Sequence, residues 1–263
     1  MDSLLYLLAG ALAGLLSGLF GVGGGLIIVP ILVALFSLQH FPDAHIMHLA
    51  LGSSLATIVV TSLASASAHH RRDNVDWAVV GRISPGIVLG TLLGTQLATC
   101  LDSDGLKAIF AIFVLAVATQ MLLNLRPNPH RQLPGSLLTS LVGGVIGIVS
   151  SLVGIGGGTL SVPFLLYCNT AIHRAIGTSA AIGLPIALAG ATGYVLAGWG
   201  QINLPQYSVG FLYLPAVAGI ALASSLTAPF GVMLAQRFSA KGLKRLFAIL
   251  LYGIGVKMAW GLF

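Results

Sequence analysis

The sequence contains one glycine-rich stretch twice, and this duplication limits the folds that the chain can adopt. Residues 21–30 read GVGGGLIIVP, and residues 154–163 read GIGGGTLSVP. Extended back to Gly14 and Gly147, the two copies agree at nine of seventeen positions. Three consecutive glycines disfavour a helix interior, because each costs about 1 kcal/mol relative to alanine, whereas proline suits the first turn of a helix. Each copy therefore predicts a break between two half-helices.

The composition predicts an all-α polytopic membrane protein. Of the 263 residues, 57% are hydrophobic and only 7% are charged, which is far fewer than a soluble protein needs. Six or more apolar runs approach the roughly 20 residues that cross a bilayer. The net charge of +6 is scattered over short loops, so we expect no nucleic-acid partner. Cys100 and Cys168 stand singly, and neither a metal site nor a cofactor is predicted.

The repeat extends over the whole chain. The segment HLALGSS at His48 becomes HRAIGTS at His173, and GLKAIFAI at Gly105 matches GLKRLFAI at Gly242 at six of eight positions. We divide the chain into an N-terminal half (1–125), a linker (126–134) and a C-terminal half (135–263), which together form one integral membrane domain. Each half is predicted to contain a glycine-broken first segment followed by three transmembrane helices. The third segments are expected at residues 77–100 and 209–236.

The basic loops favour inverted repeats. If each glycine-broken segment enters the membrane and returns on the same side, most arginines and lysines in the loops fall on one side, as the positive-inside rule requires. Each half then crosses the membrane an odd number of times, so the two halves have opposite orientations. Inverted repeats with helices broken at mid-membrane are a transporter design. This topology predicts cytoplasmic basic loops and both termini outside. A parallel four-plus-four repeat remains the alternative.

The acidic residues indicate the charge of the ligand. All six are aspartates in predicted loops or at the terminus, so no intramembrane carboxylate is available for a cation or a proton relay. A half-helix that starts within the membrane instead offers unpaired N–H groups and a positive dipole end to an anion. The alternative is that the glycines only allow close helix crossing. The candidate anion-binding glycines are Gly23, Gly24, Gly25, Gly156, Gly157 and Gly158.

A second candidate set follows the breaks in both halves. Hydroxyl groups near a helix start can donate to an oxyanion, and histidine or arginine can add a charge-assisted bond. Alternatively, the hydroxyls bond their own helix backbone, and the histidines and the arginine lie at the membrane interface. The candidates are Ser53, Ser54, Thr178 and Ser179, with His48, His173 and Arg174.

Two other histidines and one serine motif are given structural roles. His69 and His70 are expected to lie in a solvated loop. The sequence GLLSG around Ser17 superficially suggests an intramembrane serine hydrolase, which would need a histidine partner. Every histidine lies at a predicted helix end or in a loop, so we predict neither an enzyme nor catalytic residues.

Taken together, these motifs resemble the TauE/SafE family of sulfite-exporter-like membrane transporters. The paired GxGGGxxxxP stretches, the HxxxG[ST]S segments and the GLK helices carry the resemblance over essentially the whole chain. The resemblance implies an inner-membrane carrier of sulfur-containing anions such as sulfite, sulfonates or thiosulfate. Ser151 stands where the first copy has Gly18, a departure that narrows one helix contact.

The leading hypothesis is a secondary carrier or uniporter for a small sulfur-containing anion, bound between the two glycine breaks. A passive anion channel is the alternative, and a non-transporting membrane scaffold is a third possibility. The expected partners are the anion and the lipid bilayer, and a homo-oligomer is left open. The sequence does not disclose the direction of transport or a coupling ion.

Overall fold

The helices of this chain follow its apolar runs closely. The computed structural model describes residues 2–20, 24–123, 132–235, 237 and 240–260. Within them lie ten α-helices, one short 3-10 helix at Asp43–His45 and one two-stranded hairpin. The helices are α1 (Asp2–Phe20), α2 (Gly25–Leu38), α3 (Ile46–His70), α4 (Trp77–Thr99), α5 (Ser103–Leu122), α6 (Ser136–Val153), α7 (Gly158–Tyr167), α8 (Ile172–Ala197), α9 (Leu214–Ala235) and α10 (Ala240–Trp260).

Six helical stretches in the described part of the chain are long and apolar enough to span a bilayer, which confirms the predicted polytopic all-α class. They lie at α3 to α6, α8 and the first eighteen residues of α9. Helices α2 and α7 have 14 and 10 residues. At about 1.5 Å per residue they reach roughly 21 and 15 Å, so neither crosses a core of roughly 30 Å. Both follow a glycine break.

Aspartates at helix ends have structural partners. Asp76 precedes α4, and its side chain accepts a hydrogen bond from the Val79 N–H at 3.2 Å. Asp102 does the same for α5, accepting from the Gly105 N–H at 2.8 Å. Carboxylates at these N-cap positions satisfy otherwise unpaired amides and complement the helix dipole. These two carboxylates therefore cap the first turns of apolar helices and do not lie within them.

The two halves are interlocked. The first helix of each half packs against the fourth helix of the other: α1 on α9, and α6 on α4. Glycines permit this close approach, since a Cβ at Gly90 would meet the backbone of Gly144 and one at Gly10 would lie 2.7 Å from the Ile220 Cα. Helix pairs in lipid commonly use small residues in this way.

Reciprocal hydrogen bonds also join the halves. The Tyr213 N–H, just before α9, donates to the Ser53 hydroxyl on α3 at 2.9 Å. The Asp76 N–H, just before α4, donates to the Thr178 hydroxyl on α8, also at 2.9 Å. Ser53 and Thr178 correspond in the two halves, and each binds the backbone just before a helix of the other half, α9 and α4 respectively.

Helices α3 and α8, which correspond in the two halves, form the centre of the molecule and run antiparallel. A Cβ at Gly183 would lie 2.7 Å from the Ser62 hydroxyl, whereas one at Gly190 would lie 2.7 Å from the Leu55 side chain. Residue numbers that increase along α8 therefore lie beside residue numbers that decrease along α3. The last helices of the two halves, α5 and α10, also pack together.

The third segment of the second half begins differently from the prediction. The expected helix from residue 209 is wrong over its first five residues, because Ser208–Val209 and Leu212–Tyr213 pair as an antiparallel hairpin. Gly210 has φ +55° in the turn, a conformation that glycine adopts readily. Helix α9 begins only at Leu214. Most of the predicted linker, 126–131, lies outside the described residues, so the boundary between the halves stays a prediction.

Candidate functional site

The two glycine breaks are in direct backbone contact. A Cβ at Gly25, the first residue of α2, would meet the carbonyl oxygen of Gly154 and would lie 2.8 Å from the Ile155 Cα. The Ser54 hydroxyl donates to the same Gly154 oxygen at 2.8 Å. Gly154 itself ends α6 with φ +69°, the left-handed geometry typical of a glycine after a helix. Gly25 is therefore fixed by close packing.

Beside this crossing lies a cavity of about 320 Å³. Parts of six helices and the second break line it. From α1, α2 and α9 come small or apolar residues, and α3 contributes its C-terminal half. The lining residues are Ala13, Gly14, Ser17, Gly18, Gly24, Ile28, Ile58, Thr61, Ser62, Ser65, His69, Gly156, Gly157, Gly158, Val162, Ile176, Ser179, Ala180, Gly183, Ser224 and Ala228.

The cavity offers hydrogen-bond donors without a formal charge. Among the residues that the structure describes, its lining includes no carboxylate, lysine or arginine. Gly24 is the residue that caps α2, and Gly157 caps α7, so the first-turn N–H groups of both half-helices begin at its wall. The Ser179 side chain is 1% exposed, and its hydroxyl has no hydrogen-bond partner among the described residues. A buried hydroxyl without a partner is costly, so this wall suits a polar ligand.

Five of the predicted site residues meet in this cavity. Gly24, Gly156, Gly157, Gly158 and Ser179 all line it. They come from the first turns of α2 and α7, the second break and α8. The sequence hypothesis of a site between the breaks thus has a physical location.

Other predicted hydroxyls hold the backbone. Ser53 accepts from the Tyr213 amide, Ser54 donates to the second break, and Thr178 accepts from the Asp76 amide. None of the three lines the cavity. Each hydroxyl instead joins one half of the molecule to the other.

The predicted basic residues lie elsewhere in the described structure. His48 is 4% exposed, and its Nε2 lies 3.0 Å from the Ala98 carbonyl oxygen, at the start of α3. His173 and Arg174 are exposed in the first turn of α8. Gly23 lies outside the described residues. None of His48, His173 and Arg174 lines the cavity.

Sequence reasoning missed the polar wall that α3 provides. Thr61, Ser62, Ser65 and His69 line the cavity, whereas the predicted hydroxyls of this helix were Ser53 and Ser54. The expectation that His69 and His70 lie in a loop is wrong, because both belong to the last turn of α3. The available signal was their spacing of three to four residues, which places side chains on one helix face.

The hydrolase interpretation gains one observation and lacks the decisive one. Ser17 and His69 both line the cavity, yet no hydrogen bond joins them in the described structure. A nucleophilic serine needs a base within hydrogen-bond reach, itself oriented by a third group. No cluster of three or more histidine, cysteine or acidic residues suited to a metal occurs in the described ranges.

Comparison with known proteins then decides the family. A model described as "Sulfite exporter TauE/SafE" matches residues 6–258. The chain belongs to the TauE/SafE family. A relative in Haemophilus influenzae, named a probable membrane transporter protein, is 40% identical over 256 residues, which cover 97% of each chain.

More distant members of the TauE/SafE family bear similar names. A probable membrane transporter protein of Methanocaldococcus jannaschii is 29% identical over 97% of this chain and 94% of its own length. Another, from Xylella fastidiosa, is 26% identical over 96% and 93% respectively. No solved structure gives a significant match. Family membership thus identifies a membrane transporter, while the names of the relatives specify no substrate.

Proposed function

We propose that this TauE/SafE member is a carrier for a small sulfur-containing anion such as sulfite or an organosulfonate, and not an enzyme. The observation that supports it most directly is the single cavity that both glycine breaks reach. The starts of α2 and α7 and the buried Ser179 all line this cavity. In this proposal the anion binds to first-turn N–H groups and to Ser179.

Electrostatics favour an anion at this place. A helix start carries roughly half a positive charge, and two half-helices begin at this wall. Among the described lining residues there is no carboxylate, so no acidic side chain offsets this potential. Backbone donors bind anions well because they need no further reorganisation and present a fixed array of N–H groups. Transporters place broken helices at mid-membrane for this purpose.

The size of the cavity supports an oxyanion with a short organic tail as well as sulfite itself. Its volume of about 320 Å³ lies at the small end of the range of about 300–1,000 Å³ that is usual for small-molecule sites. Apolar walls formed by Ile28, Ile58, Val162 and Ile176 suit a small aliphatic group beside the charged head. The sulfur chemistry itself is inferred from the family description, "Sulfite exporter".

A carrier accounts for the structure better than a passive channel, because the helices are closely packed beyond the breaks. Beyond the breaks, Tyr194 is fully buried and donates a hydrogen bond to the Ser151 carbonyl at 3.0 Å. Gly52 packs there against Tyr194 and the Phe211 backbone. An open channel needs a continuous path, whereas a carrier alternates which side is closed.

We further propose that the halves are inverted repeats. The antiparallel course of α3 and α8 supports this arrangement, because corresponding helices related by an axis along the membrane normal would run parallel. In this topology the basic loops, including Arg71 and Arg72 after α3, lie in the cytoplasm, and both termini lie outside the inner membrane. A homo-oligomer is compatible with this topology.

Transport by reconstituted protein tests the proposal. A Cβ at Gly156 would touch only the Ile58 side chain, at 3.3 Å, so Gly156→Val fills the cavity without backbone overlap. Gly81→Val is the matched control, because a Cβ at this exposed helical site meets nothing within 4 Å. In proteoliposomes loaded for uptake of labelled sulfite, taurine and sulfoacetate, we expect Gly156→Val to lose at least about 90% of the rate and Gly81→Val to keep it.

Both variants must first elute from size exclusion as the parent does. A wild-type uptake rate in Gly156→Val would refute the cavity as the transport site. Absence of uptake by the parent with every sulfur anion, but uptake of a carboxylate, would refute the substrate class alone.

A further inference from the structure

One face of α3 carries polar side chains over three turns. Thr61, Ser62, Ser65 and His69 all line the cavity, and their spacing places them in one row along the helix. We call these four residues the hydroxyl face. Small polar residues in a membrane helix often serve packing alone, so the face needs independent evidence before it is given a role.

The position of the hydroxyl face links the end of α3 to the second glycine break. His69 is the penultimate residue of the helix and precedes Arg71 and Arg72 in the following loop. At the other end, the Ile58 side chain lies 3.3 Å from where a Cβ of Gly156 would be. Eleven residues of helix separate Ile58 from His69, which is about 16 Å. The row therefore runs from a basic loop to the anion-binding glycines.

The second half of the chain does not repeat this polarity. When His48 is aligned with His173, the four positions of the hydroxyl face fall on one face of α8. There Ile186, Ala187 and Tyr194 are fully buried, and Gly190 packs against a leucine of α3. A polar row required by the fold of the repeat would occur in both halves. The residues at these α8 positions are Ile186, Ala187, Gly190 and Tyr194.

Two polar groups on the cavity wall also lack partners in the described structure. Ser179, which is 1% exposed, lines the cavity, and its hydroxyl has none. The Nδ1 atom of His69 is buried without a partner as well. Leaving such groups unpaired is costly, so both point to a ligand between α3 and α8.

We propose that the hydroxyl face of α3 binds the anion along its route between the Arg71–Arg72 end of the helix and the glycine breaks, while the Tyr194 side is closed in this state. The identity of the anion rests on the proposed function, but the route does not. Ser62 and Ser65 replace water around the oxyanion, and His69 contacts it at the entrance. The corresponding face of α8 contributes no ligand.

Cysteine accessibility tests this route with a matched pair of variants. Ser62→Cys is nearly isosteric, and Ala187→Cys occupies the corresponding position of the other half. Both are made in a chain whose Cys100 and Cys168 are replaced by alanine. The probes are two membrane-impermeant thiol reagents of similar size, the anionic 2-sulfonatoethyl and the cationic 2-trimethylammonioethyl methanethiosulfonate. They are applied to inside-out and right-side-out vesicles, with rates normalised to those with a free thiol.

We expect Ser62→Cys to react from inside-out vesicles only, with the anionic reagent about tenfold or more faster than the cationic one, and Ala187→Cys to stay unmodified from that side. Equal reaction of the two positions, or no reaction at Ser62→Cys, would overturn the one-sided route. Preference for the cationic reagent would overturn its anion selectivity. Failure of sulfur-anion uptake with this labelling pattern intact would instead reject the proposed substrate and leave the route standing.

Discussion

Two neighbouring glycines at the first break should differ in how much the same substitution lowers the stability of the protein. In both Gly24→Ala and Gly25→Ala, the added Cβ would lie 2.8 Å from the nearest carbon atom of another residue. At Gly24 that neighbour is the Cδ1 atom of Ile28, the tip of a flexible side chain. At Gly25 it is backbone of the other break, and the Gly154 oxygen lies closer still.

The expected magnitudes follow from these contacts. Carbon atoms prefer about 3.5–4.0 Å, so Gly25→Ala requires the two breaks to separate by about 1 Å. Overpacking of this kind costs about 1–3 kcal/mol, and alanine in place of glycine returns at most about 1 kcal/mol. Gly24→Ala requires only a side-chain rotation. We expect a lower melting temperature for Gly25→Ala, an unchanged one for Gly24→Ala, and reduced sulfur-anion uptake for both.

The assay is thermal unfolding of each detergent-purified variant, followed by intrinsic fluorescence alongside size exclusion. The same preparations are then reconstituted for uptake, so stability and transport are measured on one sample. Equal melting temperatures for Gly25→Ala and the parent would refute the backbone contact between the breaks. A destabilised Gly24→Ala would show that the space around Gly24 is not formed as described.

Three further substitutions test how the halves are joined. Thr178→Val removes the acceptor for a backbone amide before α4 and should destabilise by about 1–3 kcal/mol, because that part-buried N–H loses its partner. Tyr194→Phe removes a buried bond to the Ser151 carbonyl and should cost about 1 kcal/mol. Lys107→Ala breaks an exposed ion pair with Asp104 and should change stability by less than about 0.5 kcal/mol. Denaturant titration in mixed micelles measures all three.

Conservative controls separate hydrogen bonding from shape. Thr178→Ser keeps the hydroxyl and should stay near the parent, so equal losses in the serine and valine variants would contradict the role of the bond. A Tyr194→Phe variant as stable as the parent would mean that water replaces its partner. A loss above 1 kcal/mol for Lys107→Ala would indicate that the pair takes part in a wider network.

The internal repeat and the composition of the sequence were enough to predict the broad features of this fold. The doubled glycine stretch predicted two breaks, and two short helices follow them. Scarce charge predicted the membrane class. These signals are local or depend on composition, so they survive without knowledge of the packing. The hairpin at Ser208–Val209 was missed because Val209 continues an apolar pattern, and its turn at Gly210 resembles any other glycine in so glycine-rich a chain.

Among the candidate site residues, glycines were easier to predict than hydroxyls. Gly156 and Gly157 follow from the break itself, whereas hydroxyls look alike in sequence whether they face a ligand or a neighbouring amide. Ser179 and Thr178 are adjacent, yet Ser179 lines the cavity, whereas Thr178 accepts a hydrogen bond from the backbone N–H of Asp76, just before α4. Which one faces inward depends on helix rotation and on contacts with the other half. Those contacts join residues about a hundred positions apart in the sequence, and hydrophobic periodicity in a short window does not predict contacts over such a separation.

The interlocking of the halves has a consequence for how the chain is made. Helix α1 finds its main packing partner only in α9, which begins at Leu214. At about 5–20 residues per second, roughly 10–40 s of synthesis separate the two helices. Throughout that interval the small-residue face of α1 has no native partner, so insertion must protect it from the wrong helix. A ribosome that stalls before α9 would release a chain in which neither half can complete itself.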